Sequence, residues 1–276
     1  MSATVYFNNR FVPAAEARVS AFDAGLLFGA GIFETLLARR GSLFYFERHY
    51  SRLRSGCAEL GVRLPFGPTA LRNVMREVLR RNGLNGMEAR VKVLVTPGDT
   101  ATHVSHRDST VLVSAEPYLR PSLRIPWKLL SEGAVMATPA AGLKSSSYFA
   151  YRLALHAAHA RGYDDAIFLD RDGMVSETSI ASLLLLRDGG LVIPDSPDAL
   201  PGITRRVVSE QAEARGVPVA WRSVSRDELL DGYVICVCNA LLGPFPVGRI
   251  NETDLPAVDE QLLETLRGDW ETAAGG

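Results

Sequence analysis

The segment from Gly142 to Ser182 constrains this chain more than any other, because it reads as a helix, a strand, a tight turn and a returning strand with little slack between them. Tyr148–Arg161 holds small, apolar and positively charged residues, contains no proline or glycine, and meets Gly162 as its stop, which predicts a helix. Ala166–Asp170 is an apolar run closed by Arg171-Asp172-Gly173, and Met174–Glu177 leads back, which is a hairpin signature. A helix followed by such a hairpin can bring Lys144, at the head of the segment, and Glu177, near its end, to one cleft. Taken alone, these two residues are better explained as a solvated lysine and a charge on a hairpin edge.

Their surroundings favour chemistry. Lys144 follows the uncharged run Gly133–Leu143 and precedes three serines, so its ammonium is poorly solvated and suited to act as a Schiff-base nucleophile. Glu177 lies in Ser-Glu-Thr-Ser, where polar residues close an apolar strand and a carboxylate can face a cationic ring such as a protonated pyridine.

Other motifs stand in order around this segment: Asp23-Ala-Gly-Leu-Leu-Phe-Gly-Ala-Gly-Ile-Phe-Glu-Thr35, His49-Tyr-Ser-Arg-Leu53, Val175-Ser-Glu-Thr-Ser179 and Leu200-Pro-Gly-Ile-Thr-Arg205. Together they resemble the class IV pyridoxal-phosphate enzymes, which include branched-chain aminotransferases, D-amino-acid aminotransferases and aminodeoxychorismate lyases. The resemblance covers nearly the whole chain. It implies a mixed α/β, two-domain fold-type IV architecture with pyridoxal 5'-phosphate at the domain interface. It also implies a homodimer in which a loop of one subunit reaches the other's site. Lys144 would carry the cofactor and act as the base, Glu177 would keep the pyridine nitrogen protonated, and Tyr148 would reach the ring's phenolic oxygen. Arg52, the arginine of the His-x-x-Arg-Leu motif, would hold the phosphate with a planar, permanently charged donor, and His49 would pack or orient. Phe33 and Thr35 would form part of the substrate pocket.

Composition excludes several other classes. Among 276 residues, 30 basic and 31 acidic side chains leave a formal charge of −1, so no global attraction to nucleic acid or an anionic membrane is expected. No apolar stretch approaches a membrane span, and Asn8, Asn9 and Arg10 stand where a signal peptide would need apolar residues, so the cytoplasm is expected. Cys57, Cys236 and Cys238 form neither a disulfide framework nor a zinc pattern, and the last two read as buried thiols on one face of a strand.

Along the chain, Val5–Phe7 and Arg10–Val12 flank Asn8-Asn9, a two-residue hairpin turn. Gly25, Gly29 and Gly31 predict a glycine-rich loop entering a strand. Helices are predicted over Phe46–Leu60 and Thr69–Arg81, and strands around Ala89–Thr96 and Thr110–Ala115. The loop Pro97–Ser109 contains His103 and His106, which read as polar loop residues rather than metal ligands, and Arg107. Many relatives carry Arg-Gly where this chain has Thr96-Pro97-Gly98-Asp99, which leaves Arg107 and Asn239 as candidate partners of a substrate carboxylate. Prolines 117, 121 and 126 mark a linker, which divides the chain into a smaller domain, 1–118, a connection, 119–127, and a larger cofactor domain, 128–276. His156 and His159 read as a solvated helix face.

Farther on, Leu183–Leu186 and Leu191–Ile193 form another hairpin. Leu200-Pro201-Gly202-Ile203-Thr204 opens a helix that runs to Arg215, and two readings of its start stand side by side. Thr204 can simply cap the helix, or Gly202 can let a phosphate approach the amides of Ile203 and Thr204, with Ser182 nearby. Val217–Trp221 predicts a strand, Ser225–Leu230 a short helix, Tyr233–Cys238 a buried strand and Ala257–Glu271 a terminal helix.

The turn Asn239-Ala240-Leu241, ahead of Pro246-Val247, is closer to aminodeoxychorismate lyases than to aminotransferases, which have threonine at the place of Ala240 and end in Thr-Pro-Val. The expected activity is therefore release of pyruvate from 4-amino-4-deoxychorismate to leave 4-aminobenzoate for folate synthesis, with Asn239 and Ala240 at the cofactor. The alternative is an aminotransferase for branched-chain or D-amino acids, with Phe33 and Phe149 lining a side-chain pocket. A non-catalytic vitamin B6-binding protein is disfavoured, since storage does not require Lys144, Glu177 and Arg52 together.

Overall fold

The computed structural model describes residues 3–99, 109–135 and 142–273. The chain forms two compact units, residues 1–120 with 143–148, and residues 121–142 with 149–276. The expected linker lies at the first division. The return of Leu143–Tyr148 to the first unit differs from the contiguous division expected, and it places Lys144 in the first unit.

The first unit begins with the hairpin β1 (Thr4–Phe7) and β2 (Arg10–Pro13). Asn8 and Asn9 both adopt positive φ, 43° and 68°, the geometry that matches the twist of a two-residue turn. A short helix α1 (Ala24–Phe28) follows where a loop was expected. Asp23 starts it by accepting from the Gly25 amide, and Gly29, at φ 66°, ends it. Next come β3 (Ile32–Arg39), β4 (Ser42–Leu43), the helices α2 (Phe46–Glu59) and α3 (Pro68–Arg81), and the strands β5 (Glu88–Thr96) and β6 (Thr110–Pro117). The sheet is antiparallel throughout, in the order β2-β1-β6-β5-β3-β4. Alternate residues of its central strands, such as Ile32, Leu36, Val91, Val93, Val95 and Val113, form a core with Leu53 and Cys57 of α2 and Leu71, Met75 and Leu79 of α3. Glu34 occupies a place in this same alternation, so a carboxylate stands where the pattern calls for a hydrocarbon.

The second unit contains β7 (Trp127–Val135), α4 (Phe149–Ala160), β8 (Asp165–Leu169), β9 (Val175–Thr178), β10 (Ser182–Arg187), β11 (Gly190–Pro194), α5 (Ile203–Ala214), β12 (Val219–Arg222), β13 (Val234–Asn239), β14 (Gly243–Ile250), β15 (Thr253–Asp254) and α6 (Glu260–Ala273). A short 3₁₀ turn, Asp227–Leu230, stands where a short helix was expected. Its mixed sheet runs β12-β11-β10-β13-β14-β7-β8-β9, with β15 beside β14. One side of the sheet packs on α5 and α6 through Leu184, Ile193, Cys236, Cys238, Val208 and Leu263. All three cysteines are free and buried, and burial pushes the Cys236 thiol up to about 12.

The strand β14 was not expected, and it contains Pro244 and Pro246, which are rare inside a sheet. Its pairing with β7 begins only at Val247, so the two prolines lie on a stretch that needs no donor toward that neighbour. No described helix is long and apolar enough to cross a membrane.

Candidate functional site

In the first unit, Lys144 is strapped to the start of β3. The Phe33 amide donates to the Lys144 carbonyl at 2.9 Å and the Ser146 amide to Gly31 at 2.7 Å. The serines that follow Lys144 tie the segment down: Ser146 and Ser147 donate their hydroxyls to the Gly29 carbonyl at 2.7 and 3.2 Å. The glycines permit this closeness. A Cβ at Gly31 would lie 2.8 Å from Ser146 Oγ, and one at Gly29 would lie 2.7 Å from Ser147 Oγ. The glycine-rich run and the lysine segment thus fit each other, which holds the lysine backbone rigidly on a strand end.

The Lys144 ammonium lies 4.8 Å from the centre of the Phe33 ring, and Tyr148 meets the same ring edge-on at 5.8 Å. A second ammonium, that of Lys92, lies 4.5 Å from the same ring centre. Lys92 stands opposite Thr35 in the β3–β5 register, and Thr35 and Phe33 share a face of β3. Desolvation, with Arg90 nearby, lowers the Lys92 pKa. The structure therefore gathers Lys144, Phe33, Tyr148, Thr35 and the unexpected Lys92.

Arg52 and His49 converge on Glu34, another residue the sequence did not single out. Arg52 donates from Nε to Glu34 Oε1 at 2.6 Å and from Nη2 to Oε2 at 2.9 Å, and His49 Nδ1 lies 2.6 Å from Oε2. Glu34 is 1% exposed and His49 2%. Burial by itself would raise the Glu34 pKa, but the charges and hydrogen bonds of Arg52 and His49 more than reverse it, to about 2. Burial lowers the His49 pKa, assisted by the positive fields of Arg52 and Lys144 and opposed by Glu34. The His49 Nδ1 faces Glu34 Oε2, the placement of an orienting residue. A charged residue at an inward position of an apolar strand is the signal that could have found Glu34. Lys92 needed the strand register.

In the second unit, Glu177 is buried in β9, and Tyr151 of α4 donates its hydroxyl to Glu177 Oε1 at 2.8 Å. The Tyr151 ring is itself held against Phe168, at 5.0 Å between centres. No sequence pattern marked Tyr151. The helix α5 starts at Gly202 with no side chain capping it, and Thr204 lies within its first turn, so capping by Thr204 is not what the structure shows. A Cβ at Gly202 would stand 2.6 Å from Ser182 Oγ, which brings Ser182 directly against the helix start. Ile203, Thr204 and Ser182 are all buried. Open amides at a helix start, beside a serine hydroxyl and a glycine too crowded for any side chain, fit a phosphate. A buried carboxylate with one oxygen fixed by a tyrosine fits a protonated ring nitrogen.

Asn239 turns the chain between β13 and β14. Its Oδ1 accepts from the Leu241 and Leu242 amides, each at 2.9 Å, and its Nδ2 donates to the Ile180 carbonyl at 3.1 Å. The side chain proposed as a carboxylate partner is thus spent on the turn, with Ala240 at the turn's head. Arg107, His103 and His106 lie outside the described residues. His156 and His159 are exposed on α4, and Phe149 is exposed at its start.

The model of the family "Amino-transferase class IV" matches residues 31–250. The chain is 28% identical to a protein of Methanocaldococcus jannaschii assigned to the branched-chain-amino-acid aminotransferases, over 95% of both chains. It is 27% identical to the aminodeoxychorismate lyase of Bacillus subtilis, over 95% of this chain and 92% of the other. Among solved structures it resembles the T.th. branched-chain amino acid aminotransferase complexed with N-(5'-phosphopyridoxyl)-L-glutamate, with a TM-score of 0.89, 26% identity, and coverage of 100% of this chain and 95% of that one.

Proposed function

The chain belongs to the class IV aminotransferase family, and within it we propose that this enzyme is a pyridoxal-phosphate-dependent 4-amino-4-deoxychorismate lyase. The reading rests on Lys92. A second ammonium on the ring that also faces Lys144 is misplaced in a pocket for leucine or valine and well placed for a substrate carboxylate. The Asn239–Val247 turn, closer in sequence to the lyases, points the same way.

When bound, the cofactor supplies an electron sink for charge developing on the carbon that bears the substrate amine. Lys144 would hold the cofactor and take the proton from that carbon. The bond between the ring carbon and the ether oxygen would then break, the oxygen leaving with the enolpyruvyl group, the proton carried by Lys144 passing to the departing enolate as it becomes pyruvate, and the ring becoming aromatic as 4-aminobenzoate. Glu177, held by Tyr151, would accept the ring nitrogen's hydrogen bond and favour its protonated form. The amides of Ile203 and Thr204, with Ser182 and Gly202, would hold the phosphate, for which Arg52, aligned by Glu34, is the first unit's candidate ligand. Tyr148 would hydrogen-bond the phenolic oxygen, and Lys92 would orient the substrate through a carboxylate beside Phe33 and Thr35.

Purified enzyme loaded with pyridoxal phosphate should release 4-aminobenzoate and pyruvate in equal amounts from aminodeoxychorismate. Lys92→Met should raise KM for that substrate about tenfold or more, the effect of losing one charge-assisted hydrogen bond, with a smaller change in kcat. Absence of 4-aminobenzoate, together with conversion of the cofactor to its amine form by L- or D-amino acids, would instead establish an aminotransferase. The buried Phe33 and the similarity to the M. jannaschii protein favour that second reading.

The enzyme is proposed to be a cytoplasmic homodimer. Val19, Phe22, Leu26, Leu27 and Phe28 leave an exposed apolar stretch in and before α1 that a second copy would cover. Light scattering should give twice the chain mass, and a monodisperse monomer would reject the assignment.

A further inference from the structure

We propose that the C-terminal helix α6 acts as a positioning element for the Asn239–Gly243 turn, through Arg267 and Trp270, and thereby sets the enzyme's hold on the cofactor phosphate. This rests on the proposed phosphate site at Ser182 and the start of α5, which the turn adjoins: Ser182 stands opposite Cys238, the residue before Asn239, in the β10–β13 register, and Asn239 Nδ2 donates to the Ile180 carbonyl at 3.1 Å.

Arg267 and Trp270 are three residues apart and so share a face of α6. Arg267 donates from Nη1 to the Leu242 carbonyl at 2.9 Å and to the Pro244 carbonyl at 2.7 Å, one on each side of Gly243. Trp270 is fully buried and covers Gly243 itself. A Cβ at Gly243 would stand 2.6 and 2.7 Å from the indole carbons Cε3 and Cζ3, and the residue has φ 64°, so both the space and the backbone call for glycine.

One helical turn therefore grips the residue that ends the loop from both carbonyls and from one face. The other end of the loop is closed internally by Asn239, whose Oδ1 takes the Leu241 and Leu242 amides. With both ends held, the peptide groups between them have a single orientation. The helix α6 is in turn tied to α5, because Asp269 pairs with Arg215 at the C-terminal end of that helix. The same element thus supports the turn and the helix whose first amides are assigned to the phosphate. Without the guanidinium, the Leu242 and Pro244 carbonyls lose their shared donor and the loop can rotate.

Arg267→Ala should weaken binding of pyridoxal phosphate to the cofactor-free enzyme about tenfold, measured by quenching of protein fluorescence, and leave binding of pyridoxal, which has no phosphate, within about twofold. Arg267→Lys, which keeps a donor of similar reach, should recover part of the preference, and it serves as the test variant where the alanine chain does not fold. A general loss of stability would lower both affinities together and leave their ratio unchanged. An unchanged ratio in Arg267→Ala or, where that chain does not fold, in Arg267→Lys would overturn the proposal. A wild-type chain with no preference for pyridoxal phosphate over pyridoxal would instead overturn the reading of the phosphate site beneath it. Neither measurement depends on whether the reaction is elimination or transamination.

Discussion

Lys144→Ala should abolish turnover, with a loss of at least about 10³-fold, because one residue is proposed to supply both the covalent attachment and the base. The backbone of the segment is held independently of the lysine side chain, through the Lys144 carbonyl, the Ser146 amide and two serine hydroxyls on Gly29. The variant should therefore keep its fold and its denaturation midpoint. Loss of activity without loss of structure is the expected pair of results. In the wild type, borohydride should fix the cofactor covalently to the peptide containing Lys144, and mass spectrometry of the digest should find it nowhere else. Turnover within a few fold of wild type, or a label on another lysine such as Lys92, would reject the assignment.

Glu34→Gln should have the largest effect on stability, costing about 3 kcal/mol or more, because it leaves the Arg52 guanidinium and His49 beside a neutral amide in a buried place. The same carboxylate makes the wild type sensitive to acid. Its folded pKa of about 2 lies below the ordinary 4.5, so it contributes stability that is fully present above 4.5 and is lost as pH falls toward 2. His49 works in the same direction: its folded pKa is also lowered, so below its ordinary 6.5 the unfolded chain takes up a proton that the folded chain resists. Urea denaturation of the wild type should show a midpoint that declines from about pH 6.5 downward and more steeply below 4.5. In Glu34→Gln the steep acid limb should flatten. A variant with the wild-type midpoint and acid profile would show that the buried carboxylate contributes nothing net.

Glu34 marks the boundary between what local spacing determines and what packing decides. The motif around it was legible, and so was the pairing of His49 with Arg52 on one helix face, since both depend on local spacing. What the strand and the helix do to each other was not, because an acid at an inward position is tolerable only if a cation arrives from elsewhere in the chain. Lys92 is a similar case: alternation in Val91–Val95 puts it opposite the valine face, but its neighbours Thr35 and Phe33 follow only from the register with β3. Tyr151 has no sequence signal at all, because its hydroxyl matters only once β9 delivers Glu177 to it.

By itself, then, the sequence determined the elements whose causes are local. The Asn8-Asn9 turn, the helices over Phe46–Glu59 and Ile203–Ala214 and the hairpin that carries Glu177 follow from periodicity and the backbone freedom of a few residues, and the ordered motifs point to the family that the family model shows. Tertiary structure alone decided that Lys144 is bound to β3 in the first unit, that Glu34 aligns Arg52, that prolines can occupy β14 and that the last helix grips Gly243. Each of these depends on a hydrogen bond or a steric contact between residues far apart in the chain, and such partners are chosen by packing rather than by spacing.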